Sequence, residues 1–227
     1  MTFLIAEISN HHMGSMEKAK EMILAAKNCG ADAVKSQAFV PKDMLKWGTM
    51  PLPFYERCSF SLEEYKELIH FGMYENIPVF FTVLSPALYS LKTVQRYNKL
   101  HAGGWEKFPV QKVKTYDHED SFISMREPRR DIPQVHAAKI LYATPYGEDV
   151  KQAPYEVLQR FYEKAIGVSH HGCEHGGLLL LHQIYHVPFV EKHFYMGGDI
   201  YEDKLLYRDC THSYAPKKFT ELARSMK

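Results

Sequence analysis

The stretch FLIAEISNHHMGSMEKAKEMILAAKNCGADAVKSQ, residues 3–37, decides the fold. Its first part, 3–8, is a short apolar run of the kind that forms buried strands. Ser15 then precedes apolar residues at helical spacing, and Gly30 marks the end of that helix. A second short strand is predicted over 33–37. Strand, helix and strand within about 35 residues predict a βαβ unit with parallel strands.

The same alternation continues along the chain and predicts an α/β protein. Helices are predicted after Ser61, after Pro154, over 175–186 and after Pro216. The strand candidates lie near residues 3–8, 33–37, 78–82, 109–115, 121–125, 138–143, 166–169 and 188–194. Eight strands in one compact domain, residues 1–227, favour a closed (β/α)8 TIM barrel over an open sheet.

The regular alternation of strands and helices is interrupted around predicted strands four to six. Only eight residues separate Thr115 from Ser124, which is less than the ten to twelve or so that a parallel crossover needs. The stretch 125–137 contains Pro128 and Pro133 and has no helical stripe. Either these strands are misassigned or outer helices are missing there, and we favour the second. The apolar flanks so exposed predict a homodimer or higher homo-oligomer.

Composition excludes several classes of protein. The formal net charge is +1, from 28 basic and 27 acidic residues, so no broad basic field for nucleic acid is expected. No apolar run is long enough for a membrane span, and the first residues do not resemble a secretory signal. The four cysteines form no CxxC pair. We therefore expect a cytoplasmic protein with reduced thiols.

Polar residues gather at the carboxyl ends of the predicted strands, where the active site of a parallel barrel lies. They are Glu7, Lys35, Gln37, Lys112, Thr115, Ser124, Ser169, His170, His171, Glu191 and His193. One interpretation of Glu7 and Lys35 is a structural ion pair, because charges inside apolar strands need partners. Since Lys112 is predicted to point the same way, we favour a site for an anionic ligand such as a phosphate or carboxylate.

His171 and His193 follow neighbouring strands, so their imidazoles are expected to converge. Two nitrogen ligands with open positions left over suit a catalytic metal ion. The alternative is that both are packed or solvated side chains, and the pattern alone fits both interpretations.

The motifs together resemble those of the N-acetylneuraminate (sialic acid) synthases. The segments concerned are IAEISNHHMG at 5–14, GADAVKSQ at 30–37, GVSHH at 167–171 and VEKHF at 190–194, with Asp209, Ser213 and Pro216 at the family's spacing. The resemblance is strong over 3–45 and 166–226 and weak over 87–160. It implies condensation of phosphoenolpyruvate with an N-acylated amino sugar, which gives a 2-keto sugar acid and phosphate.

The resemblance also implies a role for each site residue. Phosphoenolpyruvate would be held by Lys35, Lys112, Thr115, Ser124 and Ser169. His171 and His193 would bind Mn²⁺ or Mg²⁺, which would activate the sugar aldehyde. Glu191 would orient or deprotonate a water molecule. Glu7 and Asp209 would hold sugar hydroxyls, while Gln37, Asp117 and Tyr146 match further substrate-binding positions.

Several positions depart from the family pattern. Asp117 stands in place of a glutamate, His170 in place of an aspartate, and Tyr142 in place of a histidine. The sequence also stops where the family continues into an antifreeze-like domain. Two alternatives therefore stay open: an aldolase-type enzyme that takes a smaller aldehyde, and a non-catalytic barrel used for binding or assembly.

Overall fold

The structure is a computed structural model that describes only part of the chain. The described residues are 2–45, 50–88, 90–91, 121–125, 138–144, 167–197, 209 and 211–227, with backbone alone for 121–125 and 138–140.

A parallel sheet forms the framework. Its described strands are β1 (Phe3–Ser9), β2 (Ala33–Ala38), β3 (Val79–Val83), β4 (Ser121–Met125), β5 (Ala138–Ala143), β6 (Gly167–His170) and β7 (Phe189–His193). They lie in the order β3-β2-β1-β7-β6-β5-β4, and every neighbouring pair is parallel. Among the described strands, β3 and β4 are the two edges of this sheet.

The predicted parallel α/β fold is confirmed. Seven of the predicted strands match observed ones to within a residue or two. The eighth, near 109–115, lies outside the described residues, and so do most of the connections of strands four to six. The closed eight-stranded barrel and its missing outer helices therefore stay predictions.

The described helices are α1 (Met16–Asn28), α2 (Pro41–Met44), α3 (Leu52–Cys58), α4 (Leu62–Tyr74), α5 (Gly176–Tyr185) and α6 (Pro216–Met226). Ser15 caps α1, and its hydroxyl accepts the Lys18 N–H at 3.2 Å. The predicted capping box of Ser61 and Glu64 is present at the start of α4. The helix predicted after Pro154 lies outside the described residues. Within the described part of the chain, no helix is both long and apolar enough to cross a membrane.

The two faces of the sheet differ in what they bury. Alternate strand residues such as Leu4, Val34 and Val190 join the main apolar core together with residues of the helices. On the other face, which we call the inner face, Ile5, Ala33, Phe80 and Leu141 form a separate apolar cluster.

Polar side chains occupy inner-face positions nearer the carboxyl ends of β1, β2, β6 and β7. Glu7 lies opposite Lys35 on one side and His193 on the other, and Ser169 lies opposite Glu191. Because parallel strands end at the same edge, this register brings the polar side chains together above the apolar cluster.

Candidate active site and metal centre

Three charged side chains form a buried triad on the inner face. The Lys35 ammonium lies 2.5 Å from Glu7 Oε2 and 2.8 Å from Glu191 Oε2. All three side chains are only 2% exposed. Burial lowers the pKa of Lys35, and the Glu191 carboxylate acts in the opposite direction. Two carboxylates around one lysine favour its charged form and fix the direction of both acids.

Each carboxylate of the triad has a further hydrogen-bond donor. The Ser9 N–H donates to Glu7 Oε1 at 2.7 Å, and the Ser169 hydroxyl donates to Glu191 Oε1 at 2.7 Å. Hydrogen bonds of this kind help to offset the cost of burying charge. The two acids are thus held by groups from β1, β2 and β6.

A cluster of three histidines lies at the same edge of the sheet. His171, His193 and His212 each offer a ring nitrogen, and these nitrogens lie within 4.8 Å of one another. The ring centroids of His193 and His212 are 4.7 Å apart, and those of His171 and His193 are 5.3 Å apart. The Nδ1 atom of His193 is buried and has no hydrogen-bond partner among the described residues.

Two histidines of this cluster, His171 and His193, have the protonation state that metal ligands need. Burial, followed by the proximity of His212, lowers the pKa of both His171 and His193 well below the ordinary value. Their imidazoles are therefore neutral at neutral pH, with a lone pair available. Together with the nearby His212 ring, these converging imidazoles fit one divalent metal ion.

Backbone contacts hold the loops that carry the cluster. The His171 N–H donates to Thr144 Oγ1 at 2.8 Å, which ties the end of β6 to that of β5. The buried Lys192 ammonium donates to the carbonyls of His170 and Gly172 at 3.1 and 2.6 Å. Lys192 points away from the inner face, so it supports the loop after β6 from the opposite face of the sheet.

The other predicted site residues differ in how far the structure describes them. Gln37 accepts a hydrogen bond from Asn10 Nδ2 at 3.1 Å, and Asp209 accepts one from the Ser9 hydroxyl at 2.9 Å. Only the backbone of Ser124 is described, on β4. Lys112, Thr115, Asp117 and Tyr146 lie outside the described residues.

Two features of the site go beyond what the sequence indicated. Lys35 and Glu7 do form the ion pair that was the alternative interpretation, but Glu191 joins it. His212 was missed altogether, although it lies between Asp209 and Ser213, both of which carried the resemblance. A histidine inside a segment already linked to the site was the available signal.

Comparison with known proteins gives these residues a context. No family model matches the sequence. The chain is 26% identical to an uncharacterized protein of Methanocaldococcus jannaschii over 252 aligned positions, which cover all of this chain and 70% of that protein. It is 31% identical to mouse N-acetylneuraminate-9-phosphate synthase over 124 residues, 47% of this chain and 34% of that enzyme. The match to the mouse enzyme thus spans about a third of its length. A third relative, the pseudaminic acid synthase of Campylobacter jejuni, is 50% identical over 42 residues, 18% of this chain and 12% of that enzyme.

Solved structures agree on the fold. The N-acetylneuraminic acid synthetase of Leptospira borgpetersenii, solved with citrate, superposes with a TM-score of 0.80 at 20% identity, covering 99% of this chain and 82% of that one. The spore coat polysaccharide biosynthesis protein spsE of Bacillus subtilis gives a TM-score of 0.75 at 18% identity, covering 99% and 67%. The fold is therefore that of the sialic acid synthase structures. The chain is thus similar to the sialic acid synthases in fold and, over part of its length, in sequence.

Proposed function

We propose that the protein condenses phosphoenolpyruvate with an aldose of the N-acyl amino sugar class, in a metal-dependent reaction that yields a 2-keto sugar acid and phosphate. The relatives named as sugar acid synthases support this reaction class. The observation that carries the proposal is the position of Glu191 and His193, two residues apart on the inner face of β7, beside the Lys35 ammonium. A carboxylate and an imidazole of the histidine cluster thereby face the same space.

The reaction needs one new carbon–carbon bond and one molecule of water. The methylene carbon of phosphoenolpyruvate attacks the aldehyde carbon of the sugar, and the positive charge that develops at the second carbon is quenched by water. Loss of phosphate then gives the keto group. His171 and His193 would hold a divalent ion, which would supply a Lewis acid for the aldehyde oxygen.

In this proposal Glu191 orients the attacking water and accepts its proton through a carboxylate oxygen. Ser169 and Lys35 hold Glu191 in one orientation, which is what a general base requires. Glu7 and Asp209 lie near one another through Ser9 and are assigned to sugar hydroxyls.

The anionic groups of phosphoenolpyruvate are assigned to the remaining predicted residues. Ser169 and Lys35 border the inner face, but the Lys35 ammonium is already engaged by two carboxylates. Further positive charge is therefore needed, and Lys112 is proposed to supply it, with Thr115 and Ser124 as hydroxyl donors.

The test is phosphate release by the purified full chain with Mn²⁺, phosphoenolpyruvate and a panel of aldoses. Glu191→Gln should lower the rate by roughly 100-fold or more, the usual contribution of a general base. Glu67→Gln is the matched control, because Glu67 is an exposed glutamate on α4. Phosphate release only with short aldehydes as acceptors would favour the aldolase-type alternative. No release with any acceptor, together with no thermal shift by phosphoenolpyruvate, would overturn the proposal.

A further inference from the structure

His212 lies in the segment between β7 and α6, outside the residues that the resemblance assigned to a metal. Its ring is 4.7 Å from that of His193 and 5.4 Å from that of His171, centroid to centroid. It is 2% exposed. We propose that His212 is a third protein ligand, so that three imidazoles rather than two hold the metal ion.

The backbone explains why His212 occupies this position. Tyr214, two residues further on, forms a parallel bridge with Phe194, and its N–H donates to the His193 carbonyl at 2.8 Å. The Tyr214 hydroxyl also lies 3.0 Å from His175 Nδ1. The segment is thus fixed both to the end of β7 and to the loop after β6. Those are the two places that carry the other histidines.

The three ring nitrogens need to move only slightly closer together to bind one shared ion. Metal–nitrogen bonds of about 2.0–2.1 Å place tetrahedral ligands roughly 3.4 Å apart. The present upper limit of 4.8 Å therefore requires movements of about an ångström, which side-chain rotation can provide. Three protein ligands leave at least one position open for a substrate oxygen.

The donor set selects a class of metal. Three imidazole ligands suit Zn²⁺, Co²⁺ or Fe²⁺, whereas Mg²⁺ prefers oxygen ligands and keeps much of its water. Nitrogen sites also bind Co²⁺ and Zn²⁺ more tightly than Mn²⁺. The inference rests on the proposed function and sharpens it, because it replaces the expected Mn²⁺ or Mg²⁺ with a metal that prefers nitrogen.

The experiment is titration of the metal-free full chain with Co²⁺, followed by visible absorption and calorimetry. The wild type should bind one ion more tightly than it binds Mn²⁺ or Mg²⁺. His212→Ala should raise the dissociation constant roughly 100-fold or more, since loss of a supporting residue alone costs about 10–100-fold. His70→Ala, which removes an exposed histidine from α4, should bind like the wild type.

X-ray absorption of the Co²⁺-loaded wild type counts the imidazoles without any substitution, so the test survives if a variant fails to fold. Three imidazoles and a weakened His212→Ala support the proposal. Two imidazoles, or unchanged binding by His212→Ala when His193→Ala loses it, overturn the proposal and leave the proposed function intact. Binding of no divalent ion, with phosphate still released, overturns both the three-histidine site and the metal dependence.

Discussion

Replacing Lys35 with methionine removes the only charge that separates Glu7 from Glu191 in the buried triad. Methionine keeps an unbranched chain of similar length, so the substitution leaves little empty space. Both carboxylates bind one nitrogen, at 2.5 and 2.8 Å, and therefore lie within about 5 Å of each other. Without the ammonium they repel.

The size of the effect follows from that separation. Two unit charges about 5 Å apart at an effective dielectric constant of about 20 repel by roughly 3 kcal/mol. Removal of one partner of a buried ion pair costs about 3–5 kcal/mol in general. We therefore expect the free energy of unfolding to fall by about 3–5 kcal/mol, and Tm to fall by roughly 6–20 °C.

The assay is urea and thermal unfolding of the wild type, Lys35→Met, Glu7→Gln and the double variant Lys35→Met/Glu191→Gln. Glu7→Gln is the matched control, because it keeps the Lys35–Glu191 pair and the acceptor for Ser9; it should lose less than half as much. The double variant should recover part of the loss. The deficit of Lys35→Met should also shrink as pH falls, because protonation of one carboxyl ends the repulsion. A Lys35→Met protein as stable as the wild type at neutral pH, or a deficit independent of pH, would refute this reasoning.

Three further outcomes are expected. His12 is buried with a folded-state pKa of about 3, so the unfolded state binds more protons below pH 6.5; unfolding free energy should fall by about 2 kcal/mol between pH 6.5 and 5. His12→Asn should remove this part of the acid slope in pH-dependent urea unfolding, whereas His70→Asn, at an exposed position, should keep it. Gly167→Ala would place a Cβ 2.5 Å from the Phe189 carbonyl oxygen and should cost about 1–3 kcal/mol, while Gly176→Ala, with open space around it, should cost nothing in the same thermal unfolding assay. Co²⁺ at 100 times its dissociation constant should stabilise the protein by about 2.7 kcal/mol, and a chelator should reverse the rise in Tm; an unchanged Tm would contradict a metal site.

Local patterns predicted the elements of the fold well. The apolar run of β1, the capping box at Ser61 and the apolar stripe of α4 depend only on neighbouring residues, and all are present. The two-residue period of a strand explains why Glu191 and His193 lie on one face of β7.

What the sequence left open depends on contacts between distant segments. The partner of Lys35 was predicted as Glu7 alone, because the register that adds Glu191 is set by the packing of separate strands. His212 was missed for a related reason. It lies in a loop, where the sequence shows no helical or strand periodicity, and the bridge between Tyr214 and Phe194 positions it. Buried Lys192 was likewise unforeseen, since only the loop carbonyls around it explain its place.

The position of β1 in the sheet has a consequence for synthesis on the ribosome. β1 pairs with β2 a few tens of residues later, but its other neighbour is β7, about 180 residues further along. At roughly 5–20 residues per second, that edge of β1 waits about 10–35 s for its partner. Throughout this time Glu7 and Lys35 have no Glu191 beside them, and one row of backbone groups on β1 has no neighbouring strand from β7. A nascent chain of this protein should therefore depend on chaperones until β7 emerges, and a chain truncated before Phe189 should aggregate rather than fold.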